Sequence, residues 1–306
     1  MTECEICDKP LRLIDYILLN PDLPWEFDKL STNPSITIDD VLDNPQFSWN
    51  IRWLSRNSSI TINDVYNNLQ LEWDFNFLSR NHSITITDVL KNHHFKRNIY
   101  NISKNPSITM SDVLSNPSLS WDFTGLSQNT SITVSDILSN PQIDWNFKML
   151  SQNSSITMVD ILSNPNLKWD IKFLSRNPSI TMSDVLSNPQ FDWNFDYLSM
   201  NSSITMSDVL SNPQFKWDID CLSANPSITM NDVLNNPQIE WNFINLSMNP
   251  SITMNDVLSN FELPWRFDYC LKKSYIGCNC HIYEAMMCVR YAYPKVPKDI
   301  IKYLFL

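Results

Sequence analysis

Cysteine pairs at the two ends of this sequence have the residue types and spacing to hold a metal. Cys4-x-x-Cys7 stands near the start; Cys278-x-Cys280-His281, followed by Cys288, stands near the end. Thiolates and an imidazole at such intervals suit tetrahedral zinc. One site drawing on both ends would need the ends to meet, so the self-contained candidate is Cys278, Cys280, His281 and Cys288. Buried, inert cysteines are the favoured reading, because free cysteine behaves as a small apolar side chain. No metal and no cofactor is therefore expected.

A second group is cationic. Arg80, His82, Lys91, His93, His94, Lys96, Arg97 and Lys104 fall within one short stretch, which holds three of the chain's four histidines. Five positive side chains against Asp88 alone give residues 80 to 105 a charge of +4, in a chain whose net charge is −11. Clustered basic groups of this kind attract an anion or an acidic partner. The competing reading is drift in one unit, with the aliphatic stem of Arg97 filling an apolar place. Metal binding by the three histidines is weaker still, since no cysteine or spare carboxylate completes a set. No Gly-rich phosphate loop and no Ser-His-Asp or Cys-His arrangement emerges, so an enzyme is not expected.

The elements that must position these residues come from a strict repeat. Isoleucine of a Ser-Ile-Thr triplet recurs at Ile36, Ile60, Ile84 and every 24 residues on to Ile252, without insertion or deletion. A degenerate copy precedes the first, giving eleven 24-residue units over residues 10 to 273, flanked by caps at 1 to 9 and 274 to 306. Tryptophan fills one column in ten of eleven units, from Trp25 to Trp265, and Arg97 is the exception. A fixed period of this length is the signature of a repeat architecture.

Each half-unit reads as a short helix. Thr37-Ile38-Asp39-Asp40 is a capping box, so the aspartate of that column (Asp40, Asp64, Asp88 and onward to Asp256) is a cap rather than a catalytic ladder. Ile38, Val41 and Leu42 form one apolar stripe at helical spacing. Asn44-Pro45 stops that helix. Trp49, Trp53 and Leu54 then fall on one side of a second helix that Asn57 stops. Pro24 and Pro264, just before the tryptophan column, suit that helix's first turn. The tryptophan column is expected to be core packing, as stacking of neighbours requires.

The expected fold is thus all-α: an elongated α-solenoid with two short helices per unit and terminal caps. The alternative is a leucine-rich repeat, which the Leu54-Ser55-Arg56-Asn57 pattern resembles. That fold needs an apolar residue two places before the leucine, where this chain has Arg52, Asn76, Lys148 or Asp196. A propeller, prompted by Trp-Asp pairs, needs about 40–45 residues per blade, and two glycines are too few for its turns.

Composition bounds the partners. The negative balance argues against nucleic acid and anionic membranes, which need a basic face. No apolar run reaches the ~20 residues of a membrane span, and Met1-Thr2-Glu3-Cys4 does not begin a signal peptide. Seven cysteines, an odd number, fit a reducing compartment. An intracellular protein is expected.

The unit Asn-Pro-Ser-Ile-Thr-Met-x-Asp-Val-Leu-x-Asn-Pro-x-x-x-Trp-x-Phe-x-x-Leu-Ser, seen at Asn177 to Ser199, resembles tandem-repeat proteins abundant in giant viruses of amoebae. Pro24-Trp25 and Pro264-Trp265 share that form. The resemblance covers 264 of the 306 residues and implies origin and architecture, with no activity attached. The expected function is a non-enzymatic scaffold for a protein partner, with a structural virion component or a leucine-rich-repeat-like binding protein as alternatives. A base-per-repeat nucleic-acid reader has only its first basic column in support. Partner contacts should lie in the columns that vary most. One runs Trp53, Phe77, Asn101, Gly125, Met149, Phe173, Tyr197, Cys221, Asn245 and Tyr269; another runs Arg56, Arg80, Lys104, Gln128, Gln152, Arg176, Met200, Ala224 and Met248.

Overall fold

A computed structural model describes residues 12–19, 21, 25, 27–96 and 98–266. The expected caps at 1 to 9 and 274 to 306 therefore lie outside the described residues, as do the zinc candidates among the terminal cysteines and Arg97. The described residues hold 22 helices of four to seven residues and no strand. The helical expectation is met, and the strand-based alternative finds no element to stand on. The chain divides into two compact units, Met1–Asp74 with Ile252–Leu306, and Phe75–Ser251.

Within residues 75–251 the repeat Asn177 to Asn201 is representative. Its first helix, Met182–Ser187, starts at a complete capping box: Thr181 accepts from the Asp184 amide, and Asp184 accepts from the Thr181 amide. The same box recurs at Thr109, Thr133, Thr157 and Thr205, which assigns the repeated aspartates to caps. Asn188 closes the helix by donating from its side chain to the Asp184 carbonyl at 2.8 Å. The second helix, Phe195–Met200, is capped by Asn194, whose side chain accepts from the Tyr197 amide.

Trp193 precedes that second helix rather than lying on it, contrary to the sequence reading. It sits in an extended link whose indole N–H donates to the Asn188 carbonyl at 3.0 Å. The i, i+4 spacing of Trp49 and Trp53 mimicked a helical face, but Trp49 lies outside the helix Ile51–Leu54. Pro264 likewise falls in a non-helical link. The expectation of core packing is met in part: Trp73, Trp145, Trp193, Trp241 and Trp265 are buried, whereas Trp49, Trp121, Trp169 and Trp217 are half-buried.

Helices this short are unstable alone, because nucleation costs more than a few hydrogen bonds return. Each repeat is instead bonded to the one before it. Asn177 is fully buried, and its side-chain amide donates to the carbonyls of Ser151, Asn153 and Ile156 at 3.0, 2.8 and 2.9 Å. Its own carbonyl oxygen accepts from the Ser179 amide. Ser175, also fully buried, donates to the Ile171 carbonyl and accepts from the Asn194 amide of the next repeat. Asn129, Asn153, Asn201, Asn225 and Asn249 repeat the clasp on their preceding repeats. Ile180 and Leu198 beside it have no exposed surface.

The other unit uses the same parts. Asn57 clasps the carbonyls of Ser31, Asn33 and Ile36, and Ser31 accepts from the Asn50 amide. Arg12 pairs with the buried carboxylate of Asp40 at 2.8 Å. Leu42, read from the sequence as part of the inward stripe, is 41% exposed. Ile38 and Val41 supply the buried face without it.

Asn177→Ala would leave three buried carbonyls short of a donor, at about 1–3 kcal/mol for each group left unsatisfied. Denaturant unfolding should show a loss of about 3 kcal/mol. Asn177→Asp should cost more, because a carboxylate then faces the three oxygens. Equal stability of the two variants would show that the amide protons are not what holds adjacent repeats.

Candidate protein-binding face

The second helices place the candidate residues. In Ile171–Leu174 the buried Leu174 and Ser175 point inward, so Lys172, Phe173 and Arg176 are left on the outer side. Lys172 and Arg176, four places apart, share one flank of such a turn. The contacts run from repeat to repeat. Lys148 lies over the Phe173 ring at 5.9 Å, Lys172 lies over the Tyr197 ring at 5.4 Å, and the two rings meet edge to face at 6.0 Å. In the other unit Arg56 lies over Trp53 at 5.2 Å.

This face changes character along the chain. From Asp196 onward its charges are acidic, Asp196 and then Asp220, the latter accepting from the Asn242 side chain at 2.7 Å. Cys221 follows in the column of Phe173 and Tyr197. Burial first, and then the neighbouring Asp218 carboxylate, push its thiol up to about 11. It therefore stays a thiol at neutral pH and is a poor nucleophile.

The cationic repeat is placed in two parts. Lys91 ends the helix Ile86–Lys91; His93, His94 and Lys96 occupy a short helix, His93–Lys96, that replaces the usual turn. The His93 and His94 rings lie 4.1 Å apart, and His94 stacks on Phe75 at 4.7 Å. Arg80 and Lys104 belong to the second-helix face instead, where Arg80 donates to the Asn101 side chain at 3.0 Å. His82, like the other described cations of this group, is exposed. Phe77 is half-buried, in the same column as Phe173. Arg97 lies outside the described residues, and with it the reading that its stem fills the tryptophan place. Among the described residues no group of three His, Cys, Asp or Glu side chains is set to hold a metal.

The irregular repeat leaves a mark on its neighbour. Gly125 occupies the variable column one repeat later, inside the helix Phe123–Gln128. A Cβ there would stand 2.7 Å from the Tyr100 carbonyl oxygen and 2.9 Å from the Ser103 Cβ. The preceding second helix, Ile99–Lys104, thus approaches too closely for any side chain. The sequence signal was a lone glycine in the array, in a column otherwise filled by larger residues. Lys148 and Lys172 were also missed; their signal is a lysine 25 residues before an aromatic.

Set against protein-family models, curated proteins and solved structures, the chain matches none of them. Among the described residues no helix is long and apolar enough to cross a membrane.

Gly125→Ala should destabilise the chain by about 1–3 kcal/mol, the usual cost of overpacking, read by thermal or denaturant unfolding. An unchanged midpoint would mean that Ile99–Lys104 yields freely. For Cys221, alkylation at pH 8, followed by peptide mass spectrometry, should be slow beside that of a free thiol with pKa ≈ 8.5. Asp218→Asn should speed it by removing the neighbouring negative charge. Fast alkylation in the unmodified chain would contradict a raised pKa.

Proposed function

We propose that this chain is a non-enzymatic α-solenoid whose second-helix face binds a protein partner. One observation carries the reading. The buried columns of the second helix hardly change from repeat to repeat, with Ser127, Ser151, Ser175, Ser199, Ser223 and Ser247 all serine and all fully buried. The outward columns of the same helix change at nearly every step and carry the half-buried, lysine-covered aromatics Phe173 and Tyr197. An invariant frame that displays a variable flank is what recognition of an extended partner uses.

The chemistry of the flank describes the partner. Half-buried aromatics beside the exposed Lys148, Lys172 and Arg176 suit a segment that offers carboxylates and an apolar anchor, since aromatic and arginine side chains dominate interface hot spots. The cationic second-helix residues Arg80 and Lys104 extend the same preference toward the start of this unit. Resemblance to giant-virus repeat proteins supports an intracellular setting, in host cytoplasm or in the particle.

Peptides selected from a displayed library against the full chain test this reading. Acidic, aromatic-containing ligands should emerge, and Phe173→Ser with Tyr197→Ser should weaken them by about thirtyfold or more, as loss of a hot spot does. Ser187→Ala, on the first helix, should leave binding unchanged. Selection of no ligand, or of ligands indifferent to Phe173 and Tyr197, would reject this face.

A further inference from the structure

Every first helix in residues 75–251 carries a leucine at one and the same outward position, from Leu90 to Leu234 in steps of 24 residues. Each of these side chains is between 44% and 54% exposed. They are not needed for the core, which Met182 and Val185 and their counterparts fill. The neighbours on the same surface are small and neutral: Ser183 and Ser187 flank Leu186, and the Asp184 carboxylate is turned back onto Thr181. The result is a periodic apolar stripe with little negative charge at its edges, in a chain of net charge −11; the exception to the neutral surroundings is Lys91, beside Leu90 at the first layer.

At its middle the stripe widens. Val159 stands where most repeats have a small polar residue, is 72% exposed, and lies one helical turn from Leu162. Leu162 is the central leucine of the series, with Leu90, Leu114 and Leu138 before it and Leu186, Leu210 and Leu234 after it.

We propose that this stripe joins two copies of the chain, antiparallel, about a two-fold axis near Leu162. The spacing selects the occupant. Only a partner with the same axial repeat can set an apolar group against every leucine, and a second copy has that repeat by construction. An antiparallel two-fold pairing through the centre brings Leu162 to Leu162, Leu138 to Leu186 and Leu90 to Leu234, so like meets like at each layer. It also covers Val159 with its own counterpart. Seven half-exposed leucines and Val159 offer on the order of 600 Å² per copy, hence about 1,200 Å² in the pair, the lower bound of specific interfaces. Serines at the edges admit close approach, and the lack of flanking charge removes the repulsion that two acidic chains would otherwise meet.

Sedimentation velocity of the full chain, under reducing conditions and at tens of micromolar, should give twice the 35.7 kDa of one chain. Leu138→Lys, Leu162→Lys and Leu186→Lys together should raise the dissociation constant roughly tenfold or more, because like charges then oppose each other. The matching Leu→Glu triple variant should also be monomeric, and mixing the two should restore a pair. These positions are half-exposed, and circular dichroism of each variant should match that of the unaltered chain. A monomeric parent chain, an oligomer larger than two, or a pair indifferent to both triple variants would overturn the proposal. The second-helix face is tested separately: Phe173→Ser should leave the pair intact, and the leucine variants should leave peptide binding intact.

Discussion

The structure depends on one buried side chain per repeat. An asparagine amide has two hydrogens, and Asn177 shares them among three carbonyls of the preceding repeat, of which Asn153 also accepts from the Ile156 amide. Those carbonyls end the preceding second helix and open the turn into Ile156. Without the clasp, a chain of four- to six-residue helices would bury many unpaired backbone groups, which costs more than its small apolar column of isoleucine and leucine recovers. The serine two residues earlier completes the arrangement by linking a helical carbonyl behind it to an amide ahead. Polar bonds between consecutive repeats thus set the register, and the apolar column fills the space they define.

This arrangement fixes what remains for function. The asparagine, serine, isoleucine and leucine of each unit are committed to neighbours, and the tryptophan N–H is committed to the Asn188-type carbonyl of its own unit. The threonine and aspartate are committed to each other at the first helix. The largest outward surfaces left are the flank of the second helix and the outer side of the first. They differ in kind. The second-helix flank varies from repeat to repeat and suits recognition of a distinct partner, whereas the leucine of the first helix recurs unchanged from Leu90 to Leu234 and suits a periodic one.

Much of this was legible in the sequence. The period, the helical class and the capping box all follow from residue type and spacing, because capping is a local interaction that four residues determine. The aspartates were read correctly as caps for the same reason. The role of asparagine was read only halfway. Its place after a helix identified a stop, but its three acceptors lie 21 to 26 residues earlier in the chain. Tryptophan was misassigned because an extended link can reproduce helical spacing by coincidence over four residues. Leu42 and its column were placed in the core for a related reason: in a six-residue helix, i, i+3 and i+4 mark a stripe about 100° wide, but one turn is too short for the period to fix which edge of that stripe faces inward. The cation-over-ring contacts of the candidate face join adjacent repeats and become visible only once the repeats are laid side by side.

The fourth repeat shows how such an array absorbs a defect. Where most other repeats turn at a proline, this one forms the extra helix His93–Lys96, and its second helix, Ile99–Lys104, carries the consequence to the next layer. The close approach of the Tyr100 carbonyl is accommodated by one glycine, Gly125, whose amide is still held by the Asp122 cap at 2.6 Å. The clasp itself is kept throughout: Asn105 reaches Ser79 and Asn81, and Asn129 reaches Ser103, Asn105 and Ile108. The perturbation therefore ends within one layer. That is the expected behaviour of a stack held by nearest-neighbour bonds, in which no layer depends on one two steps away. The same locality lets the exposed columns diversify freely. A side chain on the second-helix flank changes recognition at its own layer, while the asparagine beneath it holds register with the layer before.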